Sequence, residues 1–245
     1  MIPLFYRTGS GVQEASMYQP YERFIPKGQF ISVIGSGGKT TLLRVLSQKL
    51  PGTIILTTST HIFPFSGMPL IDTGTDNSAE QQYQILHQVR STLLSDRVIC
   101  IGQQLPSGKL ASPSSVISFE MLSIEADYVL VEADGAAGHP LKAHRPWEPV
   151  IPSCTSMTIC VVGASGIGKS VSSACHCPEL FSALAGISPD QAVYPEHIAS
   201  VLNHEDLADC YLVNQIDTLP GPDQAMQLCS LIRKDAYMCS LKNDL

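Results

Sequence analysis

Two lysines sit where a lysine can hold phosphate. Lys39 lies in ISVIGSGGKTTLLRVL, where an apolar run ends at Gly35 and the small residues Ser36, Gly37 and Gly38 lead into Thr40, Thr41 and an amphipathic stretch. A glycine-rich turn lets backbone N–H groups converge on an anion, and the helix that follows adds the positive end of its dipole. The lysine then reaches the terminal phosphates, and a hydroxyl contributes to a Mg²⁺ shell. Gly35, Ser36, Gly37, Gly38, Lys39, Thr40 and Thr41 are therefore the expected nucleotide-binding residues, with Thr40 on the metal. The spacing departs from the full pattern G-x-x-x-x-G-K-[ST], because Val33 stands where its first glycine belongs.

Lys169 lies in GASGIGKS, residues 163–170, which matches the full pattern and also follows an apolar run. The residues after each lysine decide between the two segments. VSSACHCPELF carries little helical periodicity, and Pro178 is expected to interrupt a helix within about two turns of Lys169. TTLLRVLSQKL, by contrast, is a sound amphipathic pattern. The acidic run DYVLVEADG also falls after the first loop and before the second, the usual order for a loop and the acid that serves it. Residues 163–170 are read as a decoy.

DYVLVEADG delivers Glu132, Asp134 and Gly135 at its C-terminal end, where open parallel sheets place their ligand crevice. Period-two alternation puts Glu132 and Asp134 on one face, so both are expected to reach one Mg²⁺ beside a γ-phosphate. Lys39, Glu132 and Asp134 form the expected catalytic set, and Thr40, Glu132 and Asp134 the expected metal ligands. YLVNQID ends another run with Asn214 and Asp217, both expected to bind the nucleotide by reading its base, at the position where guanine-nucleotide proteins carry N-K-x-D and the aspartate accepts from the base. Gln215 replaces the lysine whose stem lies along that base, which leaves ATP and GTP both open. Ser240, Leu241 and Lys242 fall where S-A-K touches guanine in the same proteins.

Positioning these groups at one crevice requires parallel strands joined by helices. The apolar runs at 29–35, 53–59, 97–102, 127–135, 157–163, 209–217 and 235–241 lack clean alternation, as strands buried on both faces do. Amphipathic stretches between them, among them SAEQQYQILHQVRSTLLS, PEHIASVLNHEDL and DQAMQLCSLIRKD, complete βαβ units. The predicted fold is α/β, a mainly parallel sheet flanked by helices. It is expected to form a single domain over residues 1–245, with 1–25 an N-terminal extension and 136–153 an elaborated proline-rich loop.

Composition narrows the partners. Of the 245 residues only 15% are charged, and the net charge is −7 with no Lys/Arg block, which argues against generic binding to nucleic acid or anionic membranes. Any phosphate must be held locally. No apolar run reaches the roughly 18 residues of a membrane span, and MIPLFYRTGSGVQEAS lacks the basic head and apolar core of a secretory signal. A cytoplasmic location is expected. Several of the eight cysteines sit inside apolar runs, so they are read as buried, reduced thiols. The low surface charge also suggests self-association into a homo-oligomer.

Together, GSGGKTTLL, TTSTHIFP, VEADGAAGHPLKAHRPWEPVIP and LVNQID resemble the YqeC family, over about residue 25 to the C-terminus. The resemblance implies a P-loop NTPase fold of the SIMIBI or G-protein-like kind. It also implies an accessory role in maturing a selenium-dependent molybdenum hydroxylase, with that enzyme or a molybdopterin-type cofactor as partner. The short GxxGKTT form resembles the loop of Mur-type ligases, and Glu132 with Gly135 as E-x-x-G resembles nickel-insertion GTPases. The expected function is a nucleotide-binding accessory protein with weak hydrolysis, using Mg²⁺ and ATP or GTP. The alternatives are an ATP-dependent small-molecule kinase or ligase, and a binding module without turnover.

Four further features have a functional and a plainer reading. Lys142, His144 and Arg145 would contact a phosphate or partner, or simply be solvated in a proline-rich loop. Cys175, His176 and Cys177 would take a soft metal or selenium species, although an incidental thiol pair is the simpler reading because no second Cys/His pair stands at zinc spacing. His61 would sense the γ-phosphate or serve structure. Trp147 is expected to anchor its loop.

Overall fold

In the computed structural model, which describes residues 4–8, 11–15, 25 and 29–244, the long apolar runs become strands of one mixed sheet. The chain runs β1 (Leu4–Thr8), β2 (Gly11–Ala15), β3 (Gln29–Gly35), α1 (Lys39–Lys49), β4 (Ile54–Thr58), β5 (His61–Ile62) and β6 (Leu70–Asp72). It continues through α2 (Ala79–Ser95), β7 (Val98–Gln104), β8 (Leu110–Ala111), α3 (Phe119–Glu125), β9 (Tyr128–Glu132), β10 (Leu141–Lys142) and β11 (Met157–Gly163). Last come α4 (Val171–Ala174), β12 (Cys175–His176), α5 (Pro178–Ala185), α6 (Pro195–Glu205), β13 (Cys210–Asn214), α7 (Asp223–Leu231) and β14 (Asp235–Met238). The sheet order is β2-β1-β14-β13-β11-β3-β9-β4-β7-β8-β5, with β6 also on β7. From β14 to β7 every pairing is parallel. Antiparallel strands extend both edges.

Alternate residues of the central strands enter two different cores, which is why they read as unbroken apolar runs. On β3, Phe30 and Ile34 join a cluster with Ile85 and Val89 of α2, Leu122 of α3, Phe181 of α5, Ile198 of α6 and Leu228 of α7. Ile31 and Val33 point the other way and pack with Leu42, Leu43, Val45 and Leu46 of α1. Helices thus cover both faces, as expected, but unequally. Ser78 and Ser118 cap α2 and α3 through their hydroxyls. Helix α1 follows Gly38 with no side-chain cap, so its first-turn N–H groups await a partner from outside the helix.

Three local readings differ from the sequence analysis. The presumed N-terminal extension contributes β1 and β2, and β1 pairs antiparallel with β14. Helices α3 and α5 emerge from stretches with no strong periodicity. Pro178 opens α5 as its first residue instead of interrupting a helix; α4 has already ended at Ala174, where the chain enters β12. Among the described residues, no helix is long and apolar enough to cross a membrane.

Candidate functional site

The central strand β3 lies between β9, which carries the acids, and β11, which carries the second glycine motif. Where β3 ends, the loop is pinned at its base. Gly35 N–H donates to Asp134 Oδ2 at 2.8 Å, Ser36 N–H to the Val161 carbonyl at 2.8 Å, and Ser36 Oγ to the Pro140 carbonyl at 2.9 Å. Beyond that, among the described residues, no acceptor takes the N–H groups of Gly37 and Gly38. The glycines are required by space as well as by conformation. A Cβ on Gly37 (φ 84°) would lie 2.4 Å from Gly163 Cα, and one on Gly38 (φ 135°) 2.3 Å from Asn214 Nδ2.

Lys39 Nζ folds back over this loop. It donates to the Gly35 carbonyl at 2.7 Å and lies 3.0 Å from Asp134 Oδ1 and 3.8 Å from Glu132 Oε1. Thr40 Oγ1 donates to Glu132 Oε2 at 2.9 Å. Burial raises the Glu132 pKa, with Lys39 and Thr40 opposing the shift. Asp134 goes the other way: burial works against its charge, but the hydrogen bond to His144 and the charges of Lys39 and Lys142 prevail, and its pKa is lowered. The two carboxylates do share a face, as period two predicts, but they meet at Lys39. Asp134 is 1% exposed and does not line the cleft above the loop, so Glu132 is the member of the pair that opens onto it.

That cleft has a volume of about 640 Å³. Gly37, Gly38, Lys39, Thr40, Thr41 and Glu132 line it together with His61, Phe63, Lys109, His139 and His176. The side-by-side oxygens of Thr40 and Glu132 are hard donors of the kind Mg²⁺ takes.

The proline-rich loop is less exposed than its composition suggests. Lys142 and His144 are buried, correcting the solvated reading. Lys142 Nζ lies 3.4 Å from Asp134 and 3.2 Å from Glu148. His144 spans two acids, Nε2 at 2.9 Å from Asp134 Oδ2 and Nδ1 at 2.8 Å from Glu205 Oε2. Burial would lower the imidazole's pKa, but its bonds to Asp134 and Glu205 dominate and raise it. Nothing in the sequence marked Glu205, whose partner is 61 residues away. Arg145 is exposed and lies over the Trp147 ring at 5.9 Å. Trp147 is itself 70% exposed, so it does not anchor the loop by burial. Cys175 and Cys177 are buried, and burial pushes the Cys175 thiol up to about 12. His176 alone of that cluster lines the cleft, its pKa lowered by burial and by Lys142. Among the described residues, no group of three His, Cys, Asp or Glu is arranged for a metal.

Residues 163–170 look like the first loop only in sequence. Gly168 N–H donates to the Val193 carbonyl, Lys169 N–H to Gly166 and Val171 N–H to Gln191. The side chain of Lys169 is exposed, and the helix after it has four residues. Two of its glycines serve packing: a Cβ on Gly163 would lie 2.6 Å from Gln215 Oε1 and 2.8 Å from the Pro140 carbonyl, and one on Gly166 would strike Leu141.

Asn214 ties the first loop to the C-terminus. Its Nδ2 donates to the Gly37 carbonyl at 2.7 Å, and its Oδ1 accepts from Leu241 N–H at 2.9 Å. Gln215, with φ 66°, accepts from Ser165 Oγ and lines the cleft. Asp217 is exposed, accepts from Ser240 Oγ and stands outside the cleft lining.

The family described as YqeC protein matches residues 31–179, and the chain belongs to that family. It is 30% identical over 182 residues to a protein of Escherichia coli (strain K12) described as uncharacterized protein YqeC; the match spans 71% of this chain and 67% of that one. No solved structure matches significantly.

Proposed function

Proceeding from membership of the YqeC family, we propose that the chain is a nucleotide-binding accessory protein of P-loop NTPase type. One observation carries the reading. Gly37 and Gly38 N–H groups with no acceptor among the described residues, the uncapped start of α1, Lys39 and the Thr40–Glu132 pair all line one cleft. A triphosphate there would take the loop N–H groups and draw Lys39 from its carboxylates to the β/γ-phosphates. Thr40 and Glu132 would hold Mg²⁺, which supplies charge neutralisation at the phosphates. Glu132 would thereby exchange Lys39 for the metal as its counter-charge. Asp134 stays with the loop as its mooring and is not assigned to the metal. Asn214 would keep the loop and the C-terminal segment in register, and Asp217 would be the residue to meet a base.

Weak hydrolysis, with nucleotide state altering the loops after β4 and β9, would suit delivery of a cofactor to a client or release of that client. The proposed client is a selenium-dependent molybdenum hydroxylase, in keeping with the family resemblance. Calorimetric titration of Mg·GTP and Mg·ATP tests the reading. Binding of one or both is expected, and binding of neither overturns it. Phosphate release above a Lys39→Ala control separates turnover from simple holding.

A second reading, a kinase or ligase acting on a small substrate, is favoured by the reach of the cleft beyond the loop to His61, Phe63, Lys109, His139 and His176. ADP formation that depends on an added second substrate would select it.

A further inference from the structure

We propose that His144 is a buried imidazolium that acts as the second counter-charge of Asp134, so that Lys39 is free to turn from this carboxylate to a phosphate. The inference rests on the nucleotide reading above and adds a positioning residue to the same site.

Both ring nitrogens of His144 lie within hydrogen-bond distance of a carboxylate oxygen, 2.9 Å to Asp134 and 2.8 Å to Glu205. Ionised carboxylates only accept, and a neutral imidazole has a single N–H. With both acids ionised, both contacts are hydrogen bonds only when both nitrogens carry protons. Glu205 cannot easily turn away, because its other oxygen accepts the His144 main-chain N–H at 2.6 Å. The histidine thus bridges the end of β9 and the end of α6 with a positive charge between two negative ones.

The need for that charge follows from what Asp134 would lose. It is 1% exposed, and its near partners are Gly35 N–H, Lys39, Lys142 and His144. Lys142 is the more distant cation, at 3.4 Å, and is shared with Glu148 and the Gly135 carbonyl. If Lys39 moved to a phosphate without another close cation in place, a buried carboxylate would be left poorly compensated, at a large cost. With His144 charged at 2.9 Å, Asp134 keeps a close partner and still holds Gly35 N–H. The loop therefore stays moored while its lysine leaves.

Two measurements test this on the full chain. In ¹⁵N NMR of the nucleotide-free protein at neutral pH, with His144→Gln identifying the resonances, two protonated ring nitrogens are expected; a neutral tautomer overturns the inference. Mg·ATP and Mg·GTP affinities are then compared in wild type, His144→Gln, Asp134→Asn and the double variant. His144→Gln is expected to weaken binding about tenfold in the wild-type background. In the Asp134→Asn background, where position 134 carries no charge to compensate, it should change affinity by less than about twofold. Equal losses in both backgrounds would mean that His144 only packs the loop, and would overturn the proposal. Should His144→Gln fail to fold, Glu205→Gln replaces it, with a smaller loss expected and the same requirement of non-additivity. If wild type binds neither nucleotide, the functional reading falls and the release of Lys39 with it, while the NMR result still decides the buried charge.

Discussion

The loops at 35–41 and 163–170 both follow a buried strand, both place a lysine after a glycine, and lie side by side on β3 and β11. They differ in where their backbone donors go. In the second, the Val193 and Gly166 carbonyls take the N–H groups of Gly168 and Lys169; in the first, no acceptor among the described residues takes those of Gly37 and Gly38. The lysines follow suit, one buried against two acids and the other out in solvent. A motif specifies residue types, but anion binding depends on donors left over after folding. The second motif does contribute to the first site, because Gly163 is the surface on which Gly37 rests.

The comparison breaks most directly at the lysines. Lys39→Ala should weaken Mg·nucleotide binding about 100-fold, the loss of two charge-assisted hydrogen bonds at roughly 1.5 kcal/mol each. Lys169→Ala should leave it within about twofold, since an exposed lysine outside the cleft contributes little. Calorimetry on the two variants decides, and a larger loss at Lys169 would exchange the roles of the loops.

The glycines come next. Gly37→Ala combines a positive φ with a Cβ 2.4 Å from Gly163 Cα, so it should lower unfolding free energy by about 2–4 kcal/mol. Gly168→Ala shares the positive φ (82°) but faces open space, and should cost only about 1 kcal/mol. Denaturant unfolding of the pair measures the difference, and equal costs would show that conformation alone, without packing, sets the glycine requirement.

The smallest expected effect is a difference in pH response. Among the described residues, titratable side chains moor the first loop and none moors the second. Asp134 has a lowered pKa, so its contribution is present above the unfolded aspartate value and lost as pH falls through its folded one. His144 has a raised pKa, so its contribution is complete below the unfolded histidine value and lost as pH rises through its folded one. Hydrogen-exchange protection of residues 35–41, corrected for intrinsic rates, should therefore be greatest between about pH 4 and 6.5 and weaken on either side. Protection of residues 163–170 should stay flatter, and parallel profiles would count against the mooring.

The central strands and the helices α1, α2, α6 and α7 were legible because each writes its burial into a local period. The first loop was legible because glycine, lysine and threonine must be contiguous to work. What escaped was set by distant partners. Lys142 and His144 look like solvated residues of a proline-rich loop until Asp134 and Glu205 close around them. The pairing of β1 with β14 joins opposite ends of the chain, although Gly9 and Ser10 between two short runs were a usable hairpin signal. Asp134 was correctly placed on the face of Glu132, but period alone could not show that the loop would seal it from the cleft.

Asn214 grips the Gly37 carbonyl from 177 residues away and is itself held by Leu241. During synthesis, then, the segment that would bind phosphate leaves the ribosome early, while its supports at Gly163, Asn214 and Leu241 emerge late. A truncated or nascent chain would carry every residue of the glycine loop and still lack the struts that keep it open. Competence to hold a ligand would arrive only once the segment through Leu241 has been made and has reached Asn214.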